Sequence, residues 1–141
     1  MKYKVVYYTR TGHSKQIADK IAEHLQCESI AIKDHKNWKG LFGYIKAGFY
    51  AVTKRYVSIT LDQVIGEYDQ LICVCPLWAS SLTPAIRTFL KDYPREKIHL
   101  VMSSMGSTLK DRTNFLSVTD IIEDQHHTDE VITRLINQLN K

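Results

Sequence analysis

The sequence predicts a three-layer α/β fold, a parallel sheet with helices on both faces, and three observations carry that expectation. Short β-branched and aromatic runs alternate with stretches whose apolar residues recur at helical spacing. Leu71-Ile72-Cys73-Val74-Cys75 is an unbroken apolar run, as expected of a central strand buried on both faces. The 141 residues contain no internal repeat, linker or low-complexity segment, so residues 1–141 read as one domain with enough chain to bury a core. Strands separated by helices imply βαβ units with right-handed crossovers. Five parallel strands in the order 2-1-3-4-5 fit this length.

The elements follow in order. Tyr3-Lys4-Val5-Val6-Tyr7-Tyr8 predicts the first strand, and Ile17, Ala18, Ile21, Ala22 and Leu25 mark one face of a helix. Ser29-Ile30-Ala31-Ile32 predicts a short second strand. Residues 41–53 predict a helix leading into a basic loop, within an aromatic, lysine-rich segment over 33–56. The third strand runs to Cys75 and is expected to stop at Pro76. Thr83 predicts an N-cap with Pro84 at the first helical position, and Ile86, Phe89 and Leu90 face inward. His99-Leu100-Val101-Met102 is the fourth strand, and 116–122 holds the fifth. Thr128 is expected to cap a last helix, with Asp129 and Glu130 at its positive end and Val131, Ile132, Leu135, Ile136 and Leu139 as its core stripe.

Composition narrows the function. At 44% hydrophobic and 24% charged, the chain is an ordinary globular one, and no apolar run approaches the ~20 residues of a membrane span, so no membrane insertion is expected. The N-terminus enters a strand rather than a signal peptide, and the expected location is cytoplasmic. A net charge of +4 is too mild to imply nucleic acid. Cys27, Cys73 and Cys75 lack the spacing of a zinc site or a disulfide framework and read as reduced thiols. His126 and His127 are adjacent and diverge, so no metal site is expected.

In such a sheet a ligand sits beyond the carboxyl ends of the strands, where the strand order reverses. The loops to inspect follow Tyr8, Cys75 and Ser103. The first, Thr9-Arg10-Thr11-Gly12-His13-Ser14, surrounds a helix start with hydroxyls and one glycine. Helix N-termini present unpaired N–H groups and partial positive charge, which suits phosphate; Gly12 permits close approach, and Thr9, Thr11 and Ser14 can donate hydroxyl hydrogens. A plain capped turn with Ser14 as N-cap is the bland alternative. His13 either donates to the anion or faces solvent, and Arg10 either clamps it or is an exposed loop residue.

That hexapeptide is similar to the flavodoxin phosphate motif, (Ser/Thr)-x-Thr-Gly-x-(Ser/Thr). With Trp38-Lys39-Gly40, Gly43-Tyr44-Ile45-Lys46-Ala47-Gly48, Pro76-Leu77-Trp78-Ala79 and Thr83-Pro84-Ala85, nearly the whole chain resembles short bacterial members of the flavodoxin family. The resemblance implies a flavodoxin-like fold binding flavin mononucleotide (FMN), with its phosphate on Thr9, Arg10, Thr11, Gly12, His13 and Ser14. It implies that Pro76, Leu77, Trp78, Ala79 and Ser80 run along one side of the flavin ring, with Trp78 either stacking on it or turning into the core. Ser104, Met105 and Gly106 would close the other side, Met105 standing where the family often carries an aromatic.

The loop over 76–82 also lacks the glycine that the family commonly places near flavin N5. A residue there would resist a turn to positive φ, so the resemblance implies a weakly stabilised neutral semiquinone. Two redox roles follow: an electron shuttle for a partner protein, or an oxidoreductase passing hydride equivalents from NAD(P)H to a quinone or other small acceptor. The basic balance departs from the acidic surface usual for shuttles. The non-enzymatic alternative is an interaction module of the same fold that has lost FMN.

Overall fold

The computed structural model describes residues 1–35, 43, 45–47, 49, 56–78, 80–106, 108–122 and 127–140. Strand β1 spans Tyr3–Tyr7 and leads into helix α1, His13–Leu25, whose buried residues Ile17, Ala18, Ile21 and Ala22 sit at the expected spacing. β2 spans Ser29–Asp34, longer than its apolar run, and β3 is the short segment Ile59–Leu61. β4 spans Gln70–Trp78 and turns back through β5, Ser81–Leu82. Helix α2, Pro84–Asp92, and a 3-10 turn at Arg95–Lys97 lead to β6, Ile98–Ser104. β7, Ser117–Ile122, and helix α3, Thr128–Leu139, follow.

Among the described residues the sheet has seven strands, not the expected five, and its full order is β3-β2-β1-β4-β6-β7 with β5 paired to β4. Both extra strands pair antiparallel, β3 on β2 and β5 on β4. Leaving those two aside, the five parallel strands lie in the order second, first, third, fourth, fifth. β3 covers the free edge of β2, where an unpaired strand would expose its N–H and C=O groups. It is anchored there by Asp62, whose carboxylate accepts from the Ala31 N–H at 3.0 Å while its own N–H donates to the Ala31 carbonyl at 3.1 Å.

Pro76 does not end its strand. The Tyr8 N–H donates to the Val74 carbonyl at 3.0 Å, so Val74 presents its polar groups toward β1, and by alternation Pro76 does too. β1 has already ended there, its last pair being Tyr7 with Val74, so a missing N–H at Pro76 leaves no ladder bond unmade. β4 therefore outruns β1.

Alternate residues of β4 enter opposite cores. Ile72 and Val74 pack with Val5, Val101 and Ile121 beneath α1 and α3. Leu71, Cys73 and Cys75 pack with Leu100 and Met102 beneath Ile86 and Phe89 of α2. The three cysteines are free thiols. Hydrogen bonding with Cys73, and burial, push the Cys75 thiol well above the ordinary range, and burial raises that of half-buried Cys27. Both stay protonated and unreactive at neutral pH.

Thr83 caps α2 by accepting from the Ile86 N–H at 3.4 Å, with Pro84 next. The last helix departs from expectation at its start: His127 occupies the N-cap and Thr128 is the first helical residue. Of the helix expected over 41–53, residues 43, 45–47 and 49 are helical and the rest lie outside the described residues, as does His126. No helix among the described residues is long and apolar enough to cross a membrane, and no three potential ligand side chains among them gather where a metal could be held.

Two outcomes follow from this packing. Thr83→Ala removes the cap of α2 and should cost about 1 kcal/mol in urea unfolding, where an unchanged midpoint would deny the cap its role. His99 bonds Ser117 Oγ and Gln70 Oε1, each at 2.7 Å, and burial lowers its pKa below the ordinary histidine value. The unfolded chain therefore protonates first as pH falls. Stability should be full above about pH 6.5 and decline below it, more steeply in the parent than in His99→Gln.

Candidate functional site

The carboxyl ends of β1, β4 and β6 converge on the loop that opens α1. Gly12 is the N-cap of α1, in the left-handed region at φ 94°, and no side chain caps the helix. An added Cβ at Gly12 would meet nothing within 4 Å, so it is the backbone conformation, not crowding, that requires glycine. The Gly12 N–H donates to Thr9 Oγ1 at 2.9 Å, which tightens the turn and leaves the Thr9 hydroxyl hydrogen available to a ligand. The first turn of α1 carries no acidic residue. A helix end without an acid or a side-chain cap keeps its positive potential for an incoming anion.

The expected phosphate residues divide by exposure. Arg10 and Thr11 are exposed, Thr9, Gly12 and His13 are intermediate, and Ser14 is buried. Ser14 lies at the second helical position rather than at the N-cap. Its hydroxyl sits 3.5 Å from that of Ser103, joining the α1 terminus to the end of β6. Nε2 of His13 is shielded from solvent within the same turn.

The segment expected to be a loop over 76–82 is largely a hairpin. Leu77 pairs with Leu82 and Trp78 with Ser81, leaving a two-residue turn at 79–80, of which Ala79 lies outside the described residues. The Leu77 side chain is buried in the core beneath α2, so what it can offer a ligand is its backbone. Trp78 is partly buried and meets Tyr8 edge to face, with ring centroids 5.9 Å apart. Tyr8 in turn donates its hydroxyl hydrogen to Asp34 Oδ2 at 2.6 Å.

Ser80 sits at φ 58°. The two-residue reversal demands this left-handed conformation, and with no glycine in the segment a serine adopts it at the side-chain penalty expected there. On the third side, the Gly106 N–H donates to Ser104 Oγ at 3.3 Å, with Gly106 itself at φ 131°. Met105 is 70% exposed, a large apolar side chain standing out at the rim. The segment returning to β7 is tied down by Arg112, which donates to the Leu109 carbonyl at 3.0 Å and to Asp120 at 2.7 Å.

Sequence reasoning passed over Tyr8 and Asp34 as site residues, and set Ser103 at the start of the ring-side loop rather than beside the α1 terminus. Each stands at or just past the carboxyl end of its strand, the signal that could have marked it. Together with Trp78 and Ser14 they tie the ends of β1, β2, β4 and β6 to one another.

Solved structures share this architecture. A flavoprotein from Lactobacillus acidophilus, crystallised in complex with FMN, superposes over 92% of this chain and 97% of its own, with a TM-score of 0.70 at 21% identity. A protein from Bacteroides uniformis classed as a flavoprotein covers 95% of this chain and 97% of its own, with a TM-score of 0.74 at 18% identity. A Bacteroides eggerthii protein of the same class covers 95% of both, with a TM-score of 0.71 at 16% identity. At these identities the likeness establishes the fold, which is flavodoxin-like. No protein-family model matches the sequence, and no curated protein sequence does.

Strain at Ser80 gives a direct outcome. Ser80→Gly should raise stability by up to about 1 kcal/mol by relieving the left-handed penalty, read as a higher urea midpoint. A lower midpoint would mean that the serine hydroxyl holds the hairpin together. Gly12→Ala should cost about 1–2 kcal/mol for the reverse reason.

Proposed function

We propose that this chain binds FMN at the carboxyl edge of its sheet and works as a small flavin redox protein. The observation that carries this reading is the uncapped, glycine-led N-terminus of α1, set beside the ends of β4 and β6. The solved FMN complex of the same fold supports it.

The donor set suits the cofactor. Thr9, Thr11 and Ser14 hydroxyls with the backbone around Gly12 would hold the phosphate, and the helix end, lacking a first-turn acid, would favour its negative charge. Arg10 and His13 would stand at its margin. Backbone groups of Pro76, Leu77, Ala79 and Ser80, the Trp78 ring, and Ser104, Met105 and Gly106 would border the flavin ring. The flavin, when bound, supplies the electron chemistry, and the chain binds it, orients it and limits its contact with water. Tyr8, pinned by Asp34 and braced by Trp78, keeps the ring-side wall in place.

Electrons would be exchanged with a redox partner protein or a small acceptor of quinone type, NAD(P)H being the donor in the second case. The net charge of +4 favours a partner or substrate that is itself acidic.

Titrating the protein with FMN and, separately, with riboflavin tests the reading through quenching of flavin fluorescence. FMN should bind and riboflavin, lacking the phosphate, should bind at least about 100-fold more weakly, the worth of one or two charge-assisted hydrogen bonds. Equal affinity would remove the phosphate site. A colourless protein unresponsive to FMN would favour an interaction module. With FMN bound, NADPH consumption in the presence of a quinone separates an oxidoreductase from an electron carrier.

A further inference from the structure

Beyond the hairpin, on the side of α2, lies a cavity of about 450 Å³ that shares only Ser80 with the proposed flavin site. Its volume falls within the range of small-molecule sites, roughly 300–1,000 Å³. Among the described residues, four cationic ones line it, Arg87, Lys91, Arg95 and Lys110, together with one acid, Asp111. Arg87 and Lys91 stand four residues apart on α2 and so share one of its sides, and Arg95, in the turn beyond Pro94, meets them at the same cavity. Like charges at that spacing on a helix repel.

Asp111 offsets one of these charges, through its pairing with Arg95. Its carboxylate already accepts from the Thr113 hydroxyl at 2.7 Å and from the Thr113 N–H at 3.2 Å, and it lies 3.5 Å from Arg95. The cations are also held in place. Arg95 stacks over the Phe115 ring, 4.7 Å from its centroid, and donates to the Thr113 carbonyl at 3.4 Å. Lys91 stands 3.6 Å above the Tyr56 ring. Burial lowers the pKa of the Arg87 guanidinium, the sign of a charge drawn partly out of water. Leu82, Leu90 and Leu109 add apolar surface, and Ser80 and Ser81 complete the wall on the hairpin side.

We infer that this cavity is a binding site for a small oxyanion carried on a compact apolar body, a phosphomonoester or a carboxylate. Arg87 would engage the oxyanion through its planar fork, Lys91 and Lys110 would add charge, and the leucines with the Tyr56 ring would take the apolar part. The cavity reaches the hairpin through Ser80 and Ser81 but includes none of residues 9–14. It is therefore a second site, distinct from the phosphate loop, and Ser80 is the one lining residue that it shares with the proposed flavin site.

Calorimetric titration of the full chain with 1-naphthyl phosphate, 2-naphthoate and neutral 1-naphthol, each with and without saturating FMN, tests the inference. At least one anion should bind and 1-naphthol should not, and the tighter of the two anions names the headgroup. Arg87→Gln and Lys110→Gln should each weaken that anion about tenfold while leaving FMN affinity and the circular dichroism spectrum unchanged. Lys110 is exposed, so its variant keeps the test alive should Arg87→Gln fail to fold. Equal binding of 1-naphthol, unaltered affinity in a folded variant, or displacement of the anion by FMN would each overturn the inference. Loss of FMN binding alone would overturn the flavin reading and leave this one standing.

Discussion

At the carboxyl edge of the sheet β4 continues past the point where β1 stops, and the candidate site is built in the step between them. β4 can do this because its alternate residues are buried in two different cores, so both helical layers hold it in place. Pro76 then falls where no neighbouring strand asks for an N–H. The freed end of β4 reverses into β5, and the space above β1 is left to the turn that starts α1. Had β1 run as far as β4, that turn would have no room beside the ends of β4 and β6.

Electrostatics give the step its chemical character. α1 begins on a glycine with neither an acid nor a side-chain cap in its first turn, so the helix end is itself the polar group offered to a ligand. Around the hairpin, α2 and its following turn add three cations at regular spacing. The β4–β5 hairpin lines the second of these regions through Ser80, Ser81 and Leu82 and meets Tyr8, next to the first, through Trp78.

The core-forming parts of this fold were legible in the sequence because they rest on periodicity and on capping chemistry. The stripe from Ile17 to Ala22, the apolar run of β4, the Thr83-Pro84 start of α2 and the last strand all emerge where the pattern places them. β3 and β5 were not legible: strands of three and two residues are too short to show a period. Pro76 reads as a stop only if its strand is flanked on the side its N–H would face, and sequence alone does not say which side that is. The same holds for Ser80, whose left-handed conformation comes from a two-residue reversal that no glycine announced. At the site, the phosphate-loop hydroxyls and Gly12 could be named from their motif. Asp34 and the meeting of Ser103 with Ser14 required the folded strand ends, and the basic cavity required α2 to meet a loop some twenty residues distant.

The central claim is that the first turn of α1 holds a phosphate. Amide chemical shifts recorded by two-dimensional NMR during an FMN titration test it most directly. The account predicts that the largest changes fall on the amides of residues 12–15, that these same amides barely respond to riboflavin, and that ring-side changes cluster at 76–80 and 104–106. Large shifts confined to the α2 side, with residues 12–15 unmoved at saturating FMN, would contradict it.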